Sequence, residues 1–203
     1  MPALPAATDR AVALLKELGA ESIAHPGGTL LAHLLRVQAR LARWQARPAL
    51  QLAGLCHAFY GTDGFPTVLL PPDRREDLAT VIGAEAEAIV YLYASCDRKA
   101  TYPALDQAAA AFHDRFTGRS GVPAPQGRRD FAELSAANEL DLAHIDPVFR
   151  ATWGRDLLAL FTRCRDLLSP HARLDCRTVL AAPAPSAPPE QVVPGADQAG
   201  SAG

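Results

Sequence analysis

The segment ALQLAGLCHAFY, Ala49–Tyr60, decides how the chain folds. It is apolar nearly all round, which suits a central helix buried by its neighbours. Pro48 stands just before it and fits the first turn of a helix. His57 lies within it, so an imidazole is expected inside the core.

Upstream, a helix is expected from about Thr29 to Ala46. Leu30, Leu34, Val37 and Leu41 recur at three- and four-residue intervals, the period of an α-helix, and His33 sits among them. Earlier still, Thr8 and Asp9 read as an N-cap before Ala11–Leu18, with Gly19 as the stop. Downstream comes the loop GTDGFPTVLLPP, residues 61–72, then a helix from Asp73 that breaks at Gly83 and another over Ala84–Cys96. Further helices are predicted at Ala104–Phe116, Asp130–Ile145, Thr152–Leu168 and Leu174–Leu180, with TGRSGVPAPQGRR, residues 117–129, as a loop. Strand signals are nearly absent: Thr67–Leu70 is the β-like run, and Pro66 and Pro71 bracket it. The expected fold class is therefore all-α, a bundle of about seven principal helices over residues 1–180. Residues 181–203 are rich in Ala, Pro and Gly with little apolar bulk, and a disordered tail is predicted there.

The bulk composition is that of a globular chain, with 203 residues, 49% hydrophobic and 21% charged, enough apolar material for a core without staples. A formal net charge of −2 argues against general nucleic-acid binding, which needs a basic face. Cys56, Cys96, Cys164 and Cys176 form no C-x-x-C pair and lie in or beside apolar stretches, so they read as buried thiols in a reducing cytoplasm. The first residues, MPALPAATDR, lack the basic and apolar regions of a signal peptide, and no run is long enough to span a membrane. A small-molecule partner is the expectation.

His25, His33 and His57 form the first candidate site. Two antiparallel helices would bring His33 and His57 together, with His25 on the entry loop. Neutral imidazole is a common ligand for zinc, iron or manganese, whereas a single histidine on an apolar face is more often bonded to a carbonyl. The loop after His57 supplies a phenol at Tyr60, a hydroxyl at Thr62 and a carboxylate at Asp63, beside Gly61 and Gly64. Asn138 and Asp141, three apart in FAELSAANELD, share a helix face, and a buried amide needs a partner. Glu133, Glu139 and Asp141 taken singly read as solvated charges, as do Asp97 at a helix end and Arg74–Asp77 at a helix start. Phosphate-loop, dinucleotide-binding and nucleophile-elbow motifs are absent.

Four stretches carry a resemblance. HPGGTLLAHLL (His25–Leu35), AGLCHAFYGTDGF (Ala53–Phe65), IGAEAE (Ile82–Glu87) and ELSAAN (Glu133–Asn138) are similar to an uncharacterised HD-domain-like family. The resemblance covers about residues 8–168, and its second stretch is the most specific. It implies a distant likeness to HD-superfamily metal-dependent phosphohydrolases and their oxygenase relatives. The chain departs from the HD pattern at two positions: Ala58 follows His57 where an aspartate is usual, and Asn138 stands where a late metal-binding aspartate is expected. A binuclear phosphohydrolase site loses support on that ground. A mononuclear site remains, with one divalent ion (Zn, Mn or Fe) on His33, His57 and His25. In that reading His57, Tyr60, Thr62 and Asp63 do the chemistry of a hydrolase or oxygenase, and Asn138 and Glu133 contact substrate. The alternative is a non-catalytic binding or interaction protein that has kept the fold and lost the site.

Overall fold

The computed structural model describes residues 4–181. The chain runs α1 (Leu4–Glu17), a two-residue hairpin β1–β2 (Ala24–His25, Gly28–Thr29), α2 (Leu30–Arg43), α3 (Pro48–Cys56), α4 (Arg75–Ile82), α5 (Ala84–Ser95) and α6 (Arg98–Thr101). A second hairpin, β3–β4 (Phe112–Asp114, Arg119–Gly121), leads to α7 (Pro125–Ile145), α8 (Pro147–Arg163) and α9 (Pro170–Leu180). The fold is thus predominantly helical, with nine α-helices among the described residues.

Helix α3 is the centre, as its composition requires. Ala49, Leu50 and every residue from Leu52 to Cys56 are buried, and α1, α2, α5 and α7 pack around it. Gly54 sets the α2–α3 distance, because a Cβ there would collide with Leu41 Cδ1. The absence of a side chain at position 54 therefore lets the His33 and His57 helices approach closely. All four cysteines are buried free thiols. No described helix is long and apolar enough to cross a membrane.

Several boundaries differ from expectation, each for a local reason. Helices α7, α8 and α9 start earlier than predicted, at Pro125, Pro147 and Pro170. Proline at the first helical position loses no hydrogen bond, and Asp146 and Ser169 cap α8 and α9 by accepting from Val148, Phe149 and Ala172 N–H. Helix α1 begins at Leu4, so Thr8 lies inside it and accepts from Gln38 Nε2 rather than capping. Helix α3 ends at Cys56, and His57–Tyr60 form a turn. Thr67–Leu70 is not a strand: the Leu69 and Leu70 N–H groups both donate to Phe59 O.

The largest correction is Ala104–Phe116, where the predicted helix is replaced by turns and strand β3. Arg128 explains it. Its buried guanidinium donates to the carbonyls of Leu105, Gln107 and Ala110, satisfying acceptors that a helix would have satisfied itself. Phe112 is then free to pack edge-on against Phe131, ring centroids 4.8 Å apart. The predicted loop 117–129 correspondingly holds β4 and the first turn of α7. The tail expected at 181–203 lies outside the described residues, except for Ala181.

Candidate functional site

Six segments converge on one cavity of about 160 Å³. Helix α2 supplies His33, the turn after α3 supplies His57 and Ala58, and the β1–β2 hairpin supplies His25. The loop after α3 adds Thr62, Gly64 and Phe65, α6 adds Arg98, and α7 adds Asn138. The hairpin is seated by Gly27 (φ +77°), where a Cβ would collide with Ile145 Cγ2 of α7.

The three histidines meet as expected. The His33 and His57 ring centroids are 5.3 Å apart and nearly perpendicular (79°). His25 stacks on His33 at 4.0 Å with the planes 23° apart. Burial, and secondarily the neighbouring His33, push the His57 pKa down to about 3 and that of His25 to about 4. Both rings are therefore neutral at physiological pH.

The partners fix how each ring is used. His57 Nδ1 lies 2.8 Å from Gly54 O, and a carbonyl can only accept, so Nδ1 carries the proton and Nε2 carries a lone pair. His33 Nδ1 lies 2.7 Å from Asp141 Oδ2, again an acceptor. Burial favours the neutral form of Asp141, but hydrogen bonds from His33 and Arg36 outweigh it and hold the carboxyl down at about 2. Arg36 grips that carboxylate through Nε and Nη2, at 2.8 and 2.9 Å. On the far side, His33 Nε2 faces Asn138 Oδ1 at 3.1 Å. Asn138 Nδ2 points to Glu139 Oε1 at 3.3 Å, so turning the amide over would set its oxygen against that carboxylate.

Arg98 closes the cavity. Its guanidinium donates to Glu139 Oε1 at 3.1 Å and to the Tyr93 hydroxyl at 2.7 Å, while its buried Nε has no partner among the described residues. Burial pushes the Glu139 carboxyl up and Arg98 pulls it back down, with a net rise. Arg98 and Gly64 also line a second, larger groove of about 730 Å³. Tyr102, Phe149, Trp153, Leu157 and Leu160 give that groove an apolar surface.

Of the residues predicted from sequence, His25, His33, His57, Thr62 and Asn138 line the cavity. Three others do not. Tyr60 is buried away from it and donates to Glu87 Oε1 at 3.0 Å, where Arg75 also binds. Asp63 accepts the Arg98 backbone N–H at 3.1 Å and so braces the loop against α6. Glu133 accepts the Ser169 N–H at 3.0 Å and secures the start of α9. Asp97 caps α6 by accepting from Ala100 N–H. Asp141 and Glu139, read as solvated, are buried instead, because each has a cation at hand: Arg36 for one and Arg98 for the other. The three-residue spacing of Asn138 and Asp141 was the signal for the first of these.

Residues 14–98 match a family described as a domain of unknown function (DUF6817). The match supports an uncharacterised family for this part of the chain, which holds His25, His33, His57 and Arg98 and stops short of α7. No curated protein and no solved structure matches the chain. Among the described residues, no three His, Cys, Asp or Glu side chains gather to hold a metal ion. The donors that do converge are two imidazoles and an amide oxygen.

Proposed function

We propose that the chain is a small-molecule enzyme of HD-like type in which His33 Nε2, His57 Nε2 and Asn138 Oδ1 hold one divalent metal ion. The observation that carries this reading is the contact between His33 and Asn138. With Nδ1 donating to Asp141, the other ring nitrogen of His33 faces an amide oxygen 3.1 Å away, and without a second proton it meets that oxygen as an acceptor. Two acceptors at that distance repel unless a cation lies between them or His33 takes a second proton. The bonds made by the opposite nitrogens of the two rings favour the cation. Metal-binding imidazoles characteristically donate their other N–H to a carboxylate or a backbone carbonyl, and Asp141 and Gly54 O fill those two roles.

Two imidazoles and an amide suit Zn or Fe better than a harder cation such as Mn, since no carboxylate touches the position. When bound, such an ion would polarise a substrate oxygen or acidify a water, chemistry that serves a hydrolase or an oxygenase. His25 has a different part. It lines the cavity, stacked over His33, and stands outside the proposed ligand set. Arg98 and Thr62 are placed to bind oxygens of the substrate head. The adjoining groove takes its apolar body, because enzyme sites bury most of a small ligand in such a surface.

Metal analysis of protein purified without a histidine tag tests the reading. About one equivalent in the wild type, lost in His33→Ala and in His57→Ala, is expected. Sub-stoichiometric metal that neither variant changes overturns it. A second reading then stands on the same contact: His33 doubly protonated, donating to Asp141 and Asn138, in a metal-free binding protein.

A further inference from the structure

A third cavity, about 520 Å³, is lined by Asp141, whose carboxylate also bonds His33. Helix α2 presents Arg36, Arg40 and Arg43 to it at positions i, i+4 and i+7, one stripe of three guanidiniums. Arg150 of α8 and His144 of α7 complete a basic lining. A like-charged helical stripe is unfavourable unless something answers it. Asp141 answers Arg36, and Asp175 answers Arg40 at 2.5 Å. Arg43 and Arg150 have no carboxylate partner among the described residues, which leaves two more guanidiniums than carboxylates at one concave surface. Arg40 is only 6% exposed, yet among the described residues its Nε has no hydrogen-bond partner, and neither has Arg150 Nε. Buried unpaired donors on charged groups are costly in a chain that needs them only for folding.

We propose that this pocket binds a small multivalent anion of the phosphate class, such as the diphosphate group of a phosphorylated metabolite. Arginine's planar fork matches phosphate oxygens in pairs, and several forks around one cavity select a multivalent anion over a single charge. The pocket's concavity and the chain's net charge of −2 favour a small ligand over a nucleic-acid backbone, which needs a broad basic face. Arg36 and Asp141 line this pocket, and Asp141 also bonds His33 of the first cavity, but the anion site stands whether or not a metal binds at His33.

Calorimetric titration of metal-free protein with inorganic pyrophosphate at low ionic strength tests it, and is independent of the metal reading. Saturable one-to-one binding is expected. Arg43→Gln combined with Arg150→Gln weakens it at least about tenfold without lowering the melting temperature of the unliganded protein. Arg155→Gln, an exposed arginine elsewhere on α8, leaves it unchanged. Absence of saturable binding, or equal loss in Arg155→Gln, overturns the proposal. So does a single-stranded oligonucleotide that binds more tightly than pyrophosphate through the same two arginines.

Discussion

His33 and Asp141 lie 108 positions apart in the chain, yet His33 Nδ1 sits 2.7 Å from Asp141 Oδ2. That bond selects which nitrogen of His33 faces the cavity. Asp141→Asn removes the charge that sets the tautomer and leaves Arg36 without its counterion. Metal affinity is expected to fall about 10–100-fold, the usual effect of losing such a support. Competition against a chromophoric chelator measures it, and an unchanged affinity would contradict the role given to Asp141.

Ala58, directly after His57, lines the same cavity and is 2% exposed. Ala58→Asp buries a carboxylate. Without metal the melting temperature should fall, since an unpaired buried charge is unfavourable. Added zinc or manganese should restore it above the response of the wild type. A loss that metal does not reverse would count against an ion at this place.

Tyr60→Phe separates position from composition. The hydroxyl touches Glu87, not the cavity, and Glu87 keeps both bonds from Arg75. The expected cost is about 1–2 kcal/mol of stability by chemical denaturation, with metal content unchanged. Metal loss in this variant would return Tyr60 to the site.

Asp114 gives the pH dependence. Burial raises its pKa, but the Tyr91 hydroxyl and the N–H groups of Phe116 and Thr117 outweigh that and hold the carboxyl below its ordinary 3.8. A depressed folded pKa contributes stability that is present above the unfolded value and lost as pH falls through the folded one. Asp114→Asn should therefore be less stable than the wild type at neutral pH and should lose less on acidification below about pH 4. Parallel acid limbs in the two proteins would show that Asp114 contributes no such term.

The helices were legible where period and caps agree. The spacing of Leu30, Leu34, Val37 and Leu41 places α2, and the all-round apolarity of residues 49–56 places α3 at the centre. The early starts of α8 and α9 were also written in the chain, as Asp146-Pro147 and Ser169-Pro170, but were outweighed by the apolar runs that follow. The β3–β4 hairpin was not legible, because the residue that displaces the expected helix is Arg128, outside the segment. The site divides in the same way. The meeting of His33, His57 and Asn138 follows from two helices, the turn that ends a third, and one buried face. The burial of Asp141 and Glu139 depends on Arg36 and Arg98, 105 and 41 positions away, and local pattern carries no record of a distant counterion.

Helix α7 carries Asn138, Glu139 and Asp141 within one turn, Asn138 and Asp141 bonding to α2 and Glu139 to Arg98 of α6. Helices α2 and α7, with α3 packed against both, are also the centre of the hydrophobic core. Amide protons of α2, α3 and α7 should accordingly exchange only through global unfolding, so the cavity dissolves with the molecule and not before it. Access for a ligand falls instead to the surface pieces, the 24–29 hairpin and the 61–66 loop, whose opening leaves the helical frame intact.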